Sequence, residues 1–430
     1  MSISELAILG GTPAVEASLK KYRSMGLGER EAVLRVLESD CLSGFYGSPG
    51  DKFYGGPEIL AFEQEWSERY KIPHTVSVNS ATSGLFAAMG AIGLSPGDEV
   101  IVPPWTMSAT VTAPLAYGGI PVFADIEDQT FCLDPAAVEA EITDRTHAII
   151  AVNLFGHPAK LKELRALADK HGLYLIEDNA QAPLGEEQDR ACGTIGHIGI
   201  FSLNYHKHLH TGEGGMCVTS DSDLAQRLQM IRNHGENAVD WLELGDIVNM
   251  VGANYRMTEL SAAIGRVQLS NIDTHVAKRE AIAERLSAGV AGISGLIPPK
   301  VRDDCRHNYY CWTPRIEKEK LGIDRGTFVT ALQAEGFPLE VGYVEPIYEL
   351  PLFQRRIAIG REGFPFTLSD RRYTSGMCPV VERLYANEAW VFQPCGYDLT
   401  GGDVDSLVNA VQKVCENIPK LQAHQTATAD

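Results

Sequence analysis

Between about residue 60 and residue 215, short apolar runs alternate with longer segments whose apolar residues recur every three or four positions. The short runs predict strands at 75–78, 99–102, 121–123, 148–152, 174–176, 198–201 and 216–219, and the periodic segments predict helices at 83–91, 109–117, 160–171 and 222–235. Strands separated by helices in this way form a mainly parallel, seven-stranded sheet covered on both faces, an α/β fold. Ligands of such sheets collect beyond the carboxyl ends of the strands, so the strand-to-helix junctions are where chemistry is expected.

After residue 256 the pattern changes. Met257, Leu260, Ala263, Ile264 and Val267 share one face of a helix predicted over 257–268, and a second, charged helix is predicted over 272–288. Glycine and proline then accumulate at 292–299, which predicts a boundary between an N-terminal arm with a large domain (1–290) and a smaller α+β domain (291–420) built from segments at 309–315, 325–335 and 403–416. Residues 421–430 are small and polar and read as a flexible tail. A chain of 430 residues with 44% hydrophobic content is long enough for two packed units.

The formal charge of −19 is spread along the sequence, which makes nucleic acid and anionic membranes poor partners. A phosphate-bearing ligand would have to be held by local amides and hydroxyls against that field. The nine cysteines show no C-x-x-C pair and no metal spacing, so they read as reduced core residues. The alternating His206, His208 and His210 lack accompanying carboxylates or cysteines, and no metal is expected. No basic-then-apolar leader opens the chain and no apolar run reaches membrane length, so a soluble, cytoplasmic protein is expected.

Lys207 lies in the run Phe201-Ser202-Leu203-Asn204-Tyr205-His206-Lys207-His208-Leu209-His210-Thr211-Gly212-Glu213-Gly214-Gly215, after an apolar strand and before a glycine-rich turn. Such a position buries an amine, lowers its pKa and frees it for a Schiff base with an aldehyde cofactor, the alternative being a solvated surface lysine. Asp178 ends the strand that follows residue 174, where a carboxylate can pair with a pyridine nitrogen or simply cap the next helix. Ser80, Ala81 and Thr82 sit between a strand and a helix start, an anion seat as well as an ordinary helix cap.

The Lys207 run and Glu177-Asp178-Asn179-Ala180-Gln181-Ala182 resemble the F-S-F-H-x-x-K-x-x-x-x-G-E-G-G and E-D-x-A-Q-A motifs of the DegT/DnrJ/EryC1/StrS sugar aminotransferases. Leu9-Gly10-Gly11-Thr12-Pro13, Gly55-Gly56-Pro57-Glu58, Ser80-Ala81-Thr82 and Asn254-Tyr255-Arg256-Met257-Thr258-Glu259-Leu260 extend the resemblance over most of the chain. The resemblance implies a fold-type-I, pyridoxal 5'-phosphate (PLP)-dependent homodimer in which Lys207 is both Schiff base and proton shuttle. It further implies Asp178 on the ring nitrogen, Gln181 on the phenolic oxygen, Ala81, Thr82 and Ser202 on the phosphate, and Asn254 reaching that phosphate from the partner subunit. Met107 stands where the family carries an aromatic ring over the cofactor, with Trp105 two residues earlier; Arg256 and Tyr343 are implied substrate contacts, and Tyr348 replaces the family's final histidine of H-Y-x-P-L-H.

One subgroup of the family carries histidine in place of the lysine and dehydrates its substrate; the count back from Gly212 lands on Lys207, which favours transamination. The expected reaction moves an amino group from L-glutamate or L-glutamine to the ketone of a cyclic polyol, either a nucleotide-linked ketosugar or a keto-inositol. A PLP-dependent dehydratase, an aminohydroxybenzoate-type synthase and a non-catalytic PLP-binding regulator are the alternatives at this point.

Overall fold

The computed structural model describes residues 5–16 and 18–429, with the backbone alone for 425–429. Helices α1 (Leu27–Glu38) and α2 (Pro57–Tyr70) precede the sheet. Proline at the first position of α2 forfeits only an amide that has no intrahelical partner, and Lys71 closes the helix in a left-handed conformation. Then follow β1 (His74–Val78), α3 (Ala81–Ala91), β2 (Glu99–Val102), α4 (Ser108–Thr112), β3 (Ile120–Phe123), α5 (Pro135–Glu141), β4 (Thr146–Val152), α6 (Leu161–His171) and β5 (Tyr174–Asp178). A small hairpin of β6 (Glu186–Glu187) and β7 (Arg190–Ala191) leads to β8 (Ile198–Ser202), β9 (Gly215–Thr219), α7 (Ser222–Arg232) and α8 (Glu259–Val290).

The seven-stranded sheet has the order β1-β9-β8-β5-β4-β2-β3, with β9 antiparallel to both neighbours and the other pairs parallel. Its strands are buried along nearly their whole length because helices cover both faces. The fold is therefore α/β, as the alternation implied, and its sheet order agrees with the fold-type-I form that the resemblance implied. No helix among the described residues is long and apolar enough to cross a membrane.

Two departures from the sequence pattern have physical causes. The helix expected over 109–117 breaks into α4 and a 3-10 turn at Pro114–Tyr117, since Pro114 has no amide to continue the ladder. The helices expected over 257–268 and 272–288 are one 32-residue helix, α8, capped by Thr258 accepting from the Ser261 amide. Ser270 and Asn271, which lie between the two expected helices, both face solvent and donate to the Val267 carbonyl, so nothing interrupts the backbone bonds. The segment read as a flexible tail is helical over Ile418–Ala429, and Leu421 is buried.

One apolar cluster surrounds the sheet and takes in Tyr310, Cys311 and side chains from 347 to 391. Tyr348, Phe353 and Tyr373 meet the ring of Phe123 edge-on, which fastens this return segment to β3. A second cluster joins the end of α8, the helices Arg325–Ala334 and Gly401–Glu416, and Leu6 from the N-terminal arm. At its polar centre the Glu335 carboxylate accepts from the Ala7 and Ala14 amides and from Lys413, pinning the arm. A third cluster lies between α2 and α8, where a Cβ on Gly265 would stand 2.5 Å from the Phe62 ring. Only glycine permits that approach.

Candidate active site

The carboxyl ends of β1, β2, β4, β5 and β8 and the start of β9 converge on a cavity of about 170 Å³. Two of the larger clefts, beside Arg69 and Arg190 and beside Arg145 and Arg371, open at the opposite ends of the strands. Neither gathers a lysine and a buried carboxylate in the way the strand-end cavity does.

Ser80 caps α3, its Oγ accepting from the Ser83 amide at 3.0 Å, while Ser83 donates to Asn79 Oδ1 at 2.6 Å. Ser80, Ala81 and Thr82 line the cavity, so the positive end of the α3 dipole and its first amides face inward. Ser202, at the end of β8, lines the same wall. The opposing backbone is Gly215, where a Cβ would come within 2.7 Å of the Ala81 amide nitrogen. The result is an anion seat made of neutral groups, which suits a chain whose overall field is negative.

Asp178 ends β5 and is buried. Its Oδ2 accepts from the Thr110 hydroxyl at 2.7 Å and its Oδ1 from the Ala180 amide at 3.1 Å. Burial pushes its pKa above the ordinary value, and Thr110, the Ala180 amide and the charge of Lys207 each pull it back. Lys207 follows β8, its amide held by the Asn204 carbonyl at 2.9 Å. Its Nζ stands 4.4 Å from the centre of the Tyr310 ring. Burial of that amine draws its pKa below 10.5, with Asp178 the main opposing influence. The neighbouring His206 is driven down to about 4 by burial and by Lys207, so it is neutral near pH 7.

Gln181 is fixed at both ends. Its Oε1 accepts from the Phe155 amide at 2.7 Å and its Nε2 donates to the Tyr343 hydroxyl at 2.9 Å, leaving one N–H free. Phe155 (φ 58°) and Tyr343 (φ 62°) both hold the left-handed backbone that side chains avoid, and their rings pack edge-on at 5.1 Å.

The structure thus gathers Ser80, Ala81, Thr82, Met107, Asp178, Gln181, Ser202 and Lys207 around one cavity, with Tyr343 one hydrogen bond behind Gln181. Met107 lines the cavity and its sulfur accepts from the Ala109 amide at 3.1 Å, capping α4. Trp105 is wholly buried, donates to the Val344 carbonyl at 2.7 Å and packs on Phe131 and Phe155, so it belongs to the core. Asn254 and Arg256 are not on the cavity wall: Asn254 is exposed, its carbonyl accepts from Asn79 and its Oδ1 accepts from Arg256 Nε at 2.8 Å. His208 and His210 point apart, to the Asn308 carbonyl and the Ser24 hydroxyl. Sequence reasoning missed Thr106, Thr110, Asn204, Glu213 and Tyr310. Thr106 and Thr110 carried a faint signal in their four-residue spacing, whereas Tyr310 arrives from a distant segment with none.

An anion seat, a buried carboxylate and an amine of lowered pKa within one small cavity fit the phosphate, ring nitrogen and aldehyde of PLP. With the sheet order, they define a fold-type-I PLP-dependent transferase. Residues 48–412 match the DegT/DnrJ/EryC1/StrS aminotransferase family, and the chain belongs to it. It is a PLP-dependent aminotransferase. The spore coat polysaccharide biosynthesis protein SpsC of Bacillus subtilis (strain 168) is 32% identical over 91% of this chain and 95% of its own length. An L-glutamine:2-deoxy-scyllo-inosose aminotransferase of Streptoalloteichus tenebrarius is 34% identical over 97% and 99%. Among solved structures, an aminotransferase from Psychrobacter cryohalolentis superposes with a TM-score of 0.81 at 29% identity, covering 93% of this chain and 100% of that one. DesI, solved in the presence of its TDP-sugar product, also gives 0.81, at 27% identity over the full length of both chains.

Proposed function

We propose that the enzyme takes the amino group of L-glutamate or L-glutamine and delivers it to the ketone of a cyclic polyol in amino-sugar or aminocyclitol biosynthesis. The observation that carries the reading is the shared cavity of Lys207, Asp178 and the α3 N-terminus. Relatives named for glutamine-dependent amination of 2-deoxy-scyllo-inosose and for a dTDP-amino-sugar transaminase support the two substrate classes. The bound cofactor supplies an aldehyde and an electron-withdrawing ring.

The protein supplies the rest. Ser80, Ala81, Thr82 and Ser202 would hold the phosphate, Asp178 would accept a hydrogen bond from the protonated ring nitrogen, and the free N–H of Gln181 would meet the phenolic oxygen. Lys207 Nζ, its pKa lowered by burial, would take a proton from the α-carbon of the donor and return one to the carbon that receives the amine. Met107 would cover the ring, and Tyr343 and Arg256 are the proposed substrate contacts, Tyr343 beside Gln181 and Arg256 beside Asn254. The enzyme acts as a homodimer. Ile247 and Val251, a few residues before the exposed Asn254 in sequence, expose apolar surface suited to burial against a second copy that receives Asn254 in its phosphate site.

A screen of half-reactions tests the reading. Mixing holoenzyme with glutamate or glutamine should remove the long-wavelength absorbance of the bound cofactor, and a keto-cyclitol or keto-sugar should restore it. Restoration by open-chain keto acids alone would overturn the assignment.

A further inference from the structure

The hydroxyl of Thr110 does more than satisfy a buried carboxylate. A carboxylate can only accept, so Thr110 spends its single proton on Asp178 Oδ2 at 2.7 Å. Thr106 Oγ lies 3.2 Å from Thr110 Oγ, and since the Thr110 proton is committed, Thr106 must be the donor in that contact. Both threonines are buried on the cavity wall. The bonds therefore run one way, from Thr106 to Thr110 to Asp178, and each donor in such a chain is polarised by the one before it.

We propose that Thr110, backed by Thr106, is a positioning residue that orients the Asp178 carboxylate and keeps it an acceptor toward the cofactor's ring nitrogen. Asp178 shares the cavity with Lys207, and Thr110 is the one side-chain donor bonded to it among the described residues. Ala180 fixes Oδ1 from the backbone, beyond the reach of mutation, so the carboxylate plane is adjustable only through Thr110. A valine at 110 keeps the shape of the side chain and deletes the proton. The carboxylate then loses its charge-assisted bond, rotates more freely and takes up a proton more readily, which weakens its hold on a protonated ring.

The proposal rests on the reading of Asp178 as the ring-nitrogen partner, and the test separates the two. Thr110→Val, Thr110→Ser, Thr106→Val, the double valine variant and Asp178→Asn are compared for the donor half-reaction and for PLP affinity of the apoprotein by fluorescence titration. Thr110→Val should lower the half-reaction rate about 10- to 100-fold with little change in donor KM, and should weaken PLP binding several-fold. Thr110→Ser should restore both, and Thr106→Val should cost less and add nothing in the Thr110→Val background. Melting of each apoprotein controls for folding, and Thr110→Ala replaces the valine if that variant does not fold. A normal rate in Thr110→Val beside a slow Asp178→Asn would overturn the positioning role alone, as would a serine variant as impaired as the valine. A normal rate in Asp178→Asn would remove the reading of Asp178, and the inference with it.

Discussion

Glu177 and Asp178 are neighbours at the end of β5, both carboxylates are buried, and burial raises the pKa of each. Successive strand residues point to opposite faces, and there the likeness ends. Glu177 turns toward the 193–196 loop, where Gly193, Ile195 and Gly196 donate three amides at 2.6, 2.7 and 2.5 Å. Asp178 turns toward the cavity with one hydroxyl and one amide, and Lys207 across from it. A saturated carboxylate can only hold its loop together, whereas one with acceptor capacity left and a cavity in front of it can serve a ligand.

The severest test of that contrast is Lys207→Ala. Transamination should fall by more than about 10⁴-fold, because the amine has no substitute in the cavity, while the apoprotein stays folded. Borohydride treatment of wild-type holoenzyme followed by mass spectrometry should find the cofactor on Lys207; trapping at another lysine would move the site.

Next in size is a pair of variants that ought to fail differently. Asp178→Asn should slow the half-reaction by about 3 kcal/mol of barrier and leave stability nearly unchanged, since an amide bonds the ring without holding its proton by charge. Glu177→Gln should destabilise the fold by about 1 to 3 kcal/mol in chemical denaturation, because its amide nitrogen must face backbone donors. If both variants lost rate alone, or stability alone, the distinction between the two faces of β5 would collapse.

A third test concerns Asn254, the one proposed phosphate residue outside its own chain's cavity. Lys207→Ala and Asn254→Asp homodimers should both be impaired, the second because a carboxylate would sit beside the phosphate. In a mixed dimer one site would hold both native residues, so dissociation and remixing should restore part of the activity. Heterodimers seen by native mass spectrometry without regained turnover would show that Asn254 does not act across the interface.

The strand-end residues were legible because each sits in a run whose apolar pattern fixes the strand and whose next residues fix the turn; Asp178 and Lys207 follow directly from that. What supports them was not. Thr110 meets Asp178 across 68 positions, Tyr310 meets Lys207 from a different part of the chain, and Phe155 meets Gln181 through a backbone amide that any residue type would offer. Local pattern also misjudged α8, since a polar Ser270-Asn271 pair looks the same in sequence whether it ends a helix or faces water along one.

The smallest effect separates Lys207 from the carboxylates by sign. Burial lowers its pKa below the 10.5 of an unfolded lysine. Between the two values the unfolded chain binds the extra proton, so this group makes stability rise with pH across that window and fall as pH drops through the folded-state value. Cys311, Cys395 and Tyr343 nearby have raised pKa values and contribute the opposite slope as their unfolded forms ionise, but they are present in any Lys207 variant. Apo Lys207→Met, which keeps the bulk without the charge, should therefore be more stable than the apo wild type at pH 7. The gap should narrow as pH rises from the folded-state value toward 10.5, because in that window the unfolded wild-type chain holds the extra proton. Denaturant titrations of the two apoproteins at several pH values measure that gap directly. A gap that stayed constant over the range would mean that Lys207 titrates as it does in the unfolded chain, and that the cavity does not prepare its amine for chemistry.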